Sequence, residues 1–255
     1  MPREIKGKCH ICGTVGPLSF EHIPPRKAFN ERPVIKAKLE DLIGQGPNEP
    51  IRGQIQQRGI GGYTLCPRCN NNTGSWYGKY FVEWCYQGFE IFSRSKGNPY
   101  LAYPIYIFPL RVLKQIITMF FSVNGPEFCD RNLELVKFVL NKKEKYLSPK
   151  YRFFVYYNIS NRLRSSGVCA TLNIYTRNIF VFSEINHFPY GYVMTLDSSP
   201  PDQRLFEITH FSKFNYNEFT VMHIKLPVLP THLWIPGDYR TKEEIIKDRI
   251  KSEQE

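Results

Sequence analysis

The chain has 255 residues, of which 42% are hydrophobic, 15% aromatic and 22% charged, and that apolar content excludes a disordered tail or a low-complexity polymer. A formal net charge of +11 points to a polyanionic partner. The segment before Cys9 is polar and basic, and no run approaches the length of a membrane span, so the expectation is a cytoplasmic protein with no membrane partner.

The first element is a cysteine turn, Cys9-His10-Ile11-Cys12, and its counterpart is Cys66-Pro67-Arg68-Cys69. Two residues between thiolates let one tight turn present both to the same ion, so the four cysteines predict a structural zinc site tying residue 9 to residue 69. The intervening stretch exceeds the usual ribbon spacing, which predicts something functional between the halves. Leu18 to Phe20 reads as the end of a strand that Pro24-Pro25 cannot continue, leaving Glu21 and His22 at its tip. Residues 26–58 are mixed, then rich in Gly, Pro and Gln, and read as a loop that could contact a nucleic acid backbone. Gly62 to Leu65 enters the second cysteine turn as a strand. Asn70 to Gly88 has the aromatic spacing of a helix, with Asn70 near its start.

Together these motifs, C-x-x-C, an acidic residue before a His with a Pro beyond, and C-x-x-C-N, resemble the zinc-containing HNH endonucleases of the His-Me finger superfamily. The resemblance covers roughly residues 9 to 78. It implies that His22 is the general base, and that Glu21 and Asn70 hold one divalent ion, Mg2+ or Mn2+, while Cys9, Cys12, Cys66 and Cys69 hold Zn2+. Phosphodiester hydrolysis needs a deprotonated water and a cation facing the phosphate, and a base titrating near neutral pH with oxygen ligands for a hard ion suits that need. One position departs from the pattern: the family's central Asn, five residues before the third cysteine, is Gly61 here. Three readings stay open: a looser site, a brace from Asn48 or Asn71, or a degenerate enzyme.

Ser93 to Pro99 reads as a linker, giving a nuclease domain over 1–94 and an accessory domain over 95–255. Leu110 to Phe121 repeats apolar residues at helical spacing with Arg111 and Lys114 off that face. Asp130 caps a second helix running to Leu140. Tyr151-Ile159, Val168-Tyr175, Asn178-Phe182, Tyr190-Leu196, Leu205-Phe211 and Phe219-Leu226 read as strands, with a tight hairpin at Thr176-Arg177, and Glu243 to Glu255 as a terminal helix. The basic surplus is concentrated in residues 94–164, where 13 Lys and Arg face 4 Asp and Glu. Cys85, Cys129 and Cys169 are expected as buried thiols. His187, His210, His223 and His232 are expected in structural roles, with His10 pointing out of its knuckle.

The expected fold is α+β: an N-terminal zinc-stapled ββα-metal element, then helices packed on a mainly antiparallel sheet. The expected function is metal-dependent hydrolysis of nucleic acid, double-stranded DNA above all, with a role in defence against foreign DNA implied by the resemblance. The C-terminal half is an expected docking site for a protein partner. The alternative is a non-catalytic zinc-stapled module that binds nucleic acid or protein.

Overall fold

A computed structural model of the chain describes residues 4–38, 40–42, 51–95, 103–158, 163–172 and 178–252. Backbone packing divides it into two units. One comprises Met1–Tyr86, Tyr106–Ser148 and Phe211–Val221, and the other Gln87–Ile105, Pro149–His210 and Met222–Glu255. The expected boundary between residues 94 and 95 falls within a segment of the second unit, and the hairpin expected at Thr176-Arg177 lies outside the described residues.

The first unit opens with β1 (Lys6–Lys8) and β2 (Val15–Pro17), an antiparallel pair on either side of the first cysteine turn. β3 (Ser19–His22) follows, then β4 (Val34–Lys36) and β5 (Gln54–Gln56), a second antiparallel pair inside what reads from sequence as a loop. β6 (Gly61–Leu65) returns to pair with β3, placing His22 opposite Gly61 and Glu21 opposite Gly62. Gly61 has no room for any side chain, because a Cβ would collide with the Glu21 carbonyl oxygen and the Phe20 ring. An asparagine at this position is therefore sterically incompatible with the strand pairing.

Behind the second cysteine turn the chain is helical, as its spacing predicts, but the helix is not uniform. α1 (Pro67–Thr73) starts with proline in its first turn, a π-helical segment occupies Gly74–Gly78, and α2 (Lys79–Arg94) continues from it. Its buried side chains are Tyr77, Phe81, Trp84 and Cys85, and Tyr77 donates a 2.7 Å hydrogen bond to the Val139 carbonyl.

α3 (Pro109–Asn124) forms where the apolar spacing predicts a helix, but Arg111 and Lys114, placed off its apolar face, are buried as well. Every residue from Pro109 to Ser122 is buried. Arg111 lies between the rings of Tyr80 and Tyr216, 4.1 and 4.0 Å from their centroids, and Lys114 donates to the carbonyls of Phe138, Asn141 and Lys142. A helix wrapped on all sides must carry its cations inward, where ring faces and carbonyl oxygens replace water. The second predicted helix is two: α4 (Glu127–Arg131) and α5 (Leu133–Leu140). Asp130 sits inside α4, paired with Lys8, rather than capping a helix.

The second unit is built on a five-stranded sheet. β7 (Tyr103–Ile107) precedes it in sequence, and the sheet comprises β8 (Tyr151–Tyr157), β9 (Arg164–Leu172), β10 (Ile179–His187), β11 (Tyr190–Leu196) and the two-residue β12 (Phe206–Glu207), in the order β12-β8-β11-β10-β9. All four pairings are antiparallel. β10 extends five residues beyond the expected end at Phe182. Of the strand expected over Leu205-Phe211 only Phe206–Glu207 is extended, and from Thr209 the chain is a 3-10 turn (Thr209–Lys213), where the Thr209 hydroxyl accepts a hydrogen bond from the Phe153 backbone N–H. β13 (Thr220–Ile224) pairs with β7, and α6 (Lys242–Ser252) is the terminal helix.

Phe154, Tyr156, Phe182, Val193, Leu205, Leu229 and Tyr239 pack as an apolar cluster in this unit. Beside it the fully buried Glu184 accepts hydrogen bonds from Tyr156, Tyr239, the Gly237 N–H and the Arg164 guanidinium. A buried ion pair persists only when its remaining donors are also used, and Arg164 directs them to the Leu233 and Asp238 carbonyls. The molecule is thus of mixed α/β class with antiparallel sheets and a four-cysteine cluster. Among the described residues no helix is long and apolar enough to cross a membrane.

Candidate metal centre and cleft

The two cysteine turns meet. The sulfurs of Cys9, Cys12, Cys66 and Cys69 all lie within 4.8 Å of one another, and those of Cys12 and Cys66 are 3.8 Å apart. A tetrahedral zinc with bonds of about 2.3 Å requires sulfur separations of about 3.8 Å, so the cluster fits a structural zinc ion. The turns are held by backbone bonds, Cys9 N–H to the Thr14 carbonyl and Gly13 N–H to the Cys9 carbonyl, with Gly13 at the positive φ the first turn needs. His10, expected to point outward, is instead half-buried, with Nδ1 3.2 Å from the Phe121 carbonyl oxygen. Cys85 and Cys129 are buried, and Cys169 is half-buried.

Glu21, His22 and Asn70 line one cleft of about 540 Å3, with Arg26, Lys27, Lys79 and Glu83 among its other charged residues. Two elements place them: Glu21 and His22 stand at the end of β3, and Asn70 in the first turn of α1. His22 Nε2 is 3.1 Å from the Arg58 carbonyl oxygen, and because a carbonyl only accepts, the ring proton is on Nε2 and Nδ1 keeps its lone pair. Burial, with Arg26 adding to it, lowers the His22 pKa below 6.5, so the ring is neutral at pH 7. Phe20 stands edge-on to it at 4.9 Å.

Glu21 is 6% exposed and has no hydrogen bond or ion pair among the described residues. Burial alone pushes its pKa up to about 8. A carboxylate kept from water beside a cleft, with no cation of its own, carries a desolvation cost that a bound cation removes. Asn70 is oriented by its amide nitrogen, which donates to Ser19 Oγ at 3.0 Å and the Phe20 carbonyl at 3.2 Å, leaving Oδ1 as its acceptor. One carboxylate and one amide oxygen fit a hard divalent ion and suit a soft one poorly.

Of the two asparagines expected as a brace in place of Gly61, Asn71 is exposed on α1 and Asn48 lies outside the described residues; among the described residues one other asparagine fastens the turn after His22. It is Asn30. That side chain is 2% exposed, and its Nδ2 donates to the Pro24 and Ile60 carbonyls at 2.7 and 2.8 Å while its Oδ1 accepts from the Ile60 N–H at 2.7 Å. Three hydrogen bonds from one carboxamide fasten the turn after His22 to the chain entering β6. Gly59 has φ +86, and a Cβ there would strike Asn30. Its sequence signal is faint: a lone Asn before a charged pair, with no periodicity around it. Gln115, also missed, reaches the cleft from α3, a helix that reads as core.

His187, as expected, is structural, buried with Nδ1 bonded to the Phe188 carbonyl at 2.9 Å. Comparison with protein-family models, with curated proteins and with solved structures gives no match for this chain.

Proposed function

We propose that the chain is a zinc-stapled, metal-dependent endonuclease of HNH type that hydrolyses phosphodiester bonds in nucleic acid, with DNA as the preferred substrate. The observation that carries this reading is one cleft lined by an oriented, neutral histidine with a free Nδ1, a buried carboxylate without a partner, and an amide with an unused oxygen. A helix cap, a surface acid and a strand-end histidine would not have to share a cleft.

In this mechanism His22 Nδ1 takes the proton of the attacking water, and the Arg58 carbonyl that holds Nε2–H stabilises the resulting imidazolium. Glu21 and Asn70 would hold Mg2+ or Mn2+, which when bound supplies positive charge to the phosphate. Arg26, Lys27 and Lys79 bring cationic charge to the same cleft and position the substrate backbone. Asn30 keeps the His22 turn in register, and the four cysteines hold zinc as a staple for β3, β6 and α1.

Purified protein is incubated with supercoiled plasmid, single-stranded DNA and RNA, with and without Mg2+ or Mn2+. Cleavage should require the divalent ion, and His22→Ala should lower it by about 10²-fold or more while leaving substrate binding nearly unchanged. A parent protein that binds nucleic acid without cutting it is a binding module, and an undiminished His22→Ala removes His22 from the chemistry.

A further inference from the structure

The cleft has a floor that the hydrolytic step leaves unused. Gly74 and Gly78 lie one turn apart on the π-helical segment, and both line it. A Cβ at Gly74 would meet nothing within 4 Å, and one at Gly78 only Gln115 Oε1, at 4.0 Å. The backbone is therefore bare there without being crowded. Gln115 of α3 lines the same cleft, is 2% exposed, and its Oε1 is buried with no hydrogen-bond partner. Its neighbours on the helix behave otherwise: Lys114 makes three hydrogen bonds to carbonyls and Thr118 donates to the Lys114 carbonyl. Leaving a buried acceptor unpaired is destabilising, so this oxygen, on a residue that lines the cleft, is a group awaiting a donor.

We propose that Gly74, Gly78 and Gln115 form a subsite for a nucleotide adjoining the bond that is cut, in which Gln115 Oε1 accepts a hydrogen bond from a neutral N–H or O–H of that nucleotide, a base amine or a sugar hydroxyl. This inference rests on the nuclease reading. The two glycines let the nucleotide lie against the backbone, where any side chain at Gly74 would occupy its place. Lys79, next in sequence and exposed on the same cleft, faces the nucleotide's phosphate, and its ion pair with Glu83 is a 3.7 Å surface contact that is easily exchanged. The volume of the cleft, about 540 Å3, accommodates a ligand of this size beside the reacting phosphate.

Three variants test the subsite. Gln115→Met keeps the side-chain volume and removes the carboxamide, Gly74→Leu fills open space at an exposed helical position, and Gly78→Ala adds one methyl in ordinary contact. Binding of short fluorescent DNA and RNA strands of the same sequence, and of a DNA strand with one abasic position, is followed by anisotropy without added divalent ion, and cleavage with Mn2+ is measured in parallel. Gln115→Met should weaken binding by about tenfold, the value of one missing hydrogen bond, and Gly74→Leu by at least as much because its side chain occupies the space the nucleotide needs. A loss confined to RNA identifies the sugar hydroxyl, and a loss erased by the abasic position identifies a base amine. Unchanged affinity in Gln115→Met and Gly74→Leu, with a parent that binds and cuts, overturns the subsite and leaves the nuclease reading standing. A parent that neither binds nor cuts overturns both. Should Gln115→Met fail to fold, Gly74→Leu decides the question, weakened binding supporting the subsite and unchanged binding overturning it.

Discussion

At the scale of single residues the site is a matter of where two protons sit. His22 is neutral because it is half-buried and Arg26 is near, which together outweigh the Arg58 carbonyl on its Nε2–H, whereas Glu21 is pushed towards the acid form because nothing charged relieves its burial. The Glu21 pKa is raised on folding from 4.5 to about 8, so the folded state binds the extra proton. The stabilisation that this proton provides is fully present below pH 4.5 and is lost as pH rises through 8. Glu21→Gln should therefore be no less stable than the parent at pH 5 and more stable at pH 8 in metal-free buffer, the gap widening by up to about 1.4 kcal/mol per pH unit between those limits. Urea melts across that range measure it. Mn2+ should raise the melting temperature of the parent at pH 8 and leave that of the variant unmoved. Parallel pH profiles for the two proteins would show that Glu21 is neither buried nor unpartnered in solution.

At the scale of elements, β3, β6 and α1 are held by two fasteners of different chemistry, the cysteine cluster at one end and Asn30 at the other. Four thiolates on one zinc ion would join residues 9 to 69 outright, and such sites contribute folding free energy. Cys9→Ser or Cys66→Ser should unfold or aggregate the N-terminal region, and metal analysis of the parent should find about one zinc per chain. A folded, zinc-free preparation would contradict the staple. Asn30→Ala leaves the Ile60 N–H and the Pro24 carbonyl unpaired and the Ile60 carbonyl with the Ile23 N–H as its donor, which should cost about 2–4 kcal/mol and loosen the turn after His22. Its effect on cleavage should appear mainly in kcat, since the groups that touch phosphate stay in place. Asn30→Asp keeps the oxygen that accepts from Ile60 and removes both donor bonds, so it should recover only part of the stability.

These fasteners also show what could be read beforehand. The cysteine spacing was legible because metal geometry constrains two residues at a time within a single turn, Asn70 because it follows the second turn directly, and the place of Glu21 and His22 at a strand end because Pro24-Pro25 stops the strand that carries them. Asn30 was not, since its partners are backbone atoms up to thirty positions away, and backbone leaves no mark in sequence. The same is true of α3: its apolar spacing predicted a helix correctly, but burial of its cations depends on Tyr216 and on the end of α5, which spacing within the helix cannot reveal. Strands were found where aromatic and β-branched residues alternate, and one was expected too far, through Thr209, where the chain turns and the hydroxyl accepts a hydrogen bond from the Phe153 N–H.

At the scale of the whole molecule the net charge of +11 overstates what a polyanion can meet. Within residues 94–164, Arg111, Lys114 and Arg164 are buried, while Arg94, Lys137 and Arg152 are paired with Glu90, Glu144 and Glu207. Lys142, Lys143 and Lys145 remain exposed, and two of them are partly engaged: Lys142 lies 5.2 Å from the Trp76 ring centroid, and Lys145 donates to Asn215. If this cluster binds phosphate, replacing all three by glutamate should weaken nucleic acid binding and flatten its salt dependence by about one unit of slope for each phosphate no longer neutralised. Lys143→Glu alone should take the largest single share, because its ammonium has no side-chain partner among the described residues to give up on binding. Binding measured from low to moderate salt for the parent, the single and the triple variant gives these slopes directly. An unchanged slope in the triple variant would make the cluster a solvated face and leave backbone recognition to Arg26, Lys27 and Lys79 in the cleft.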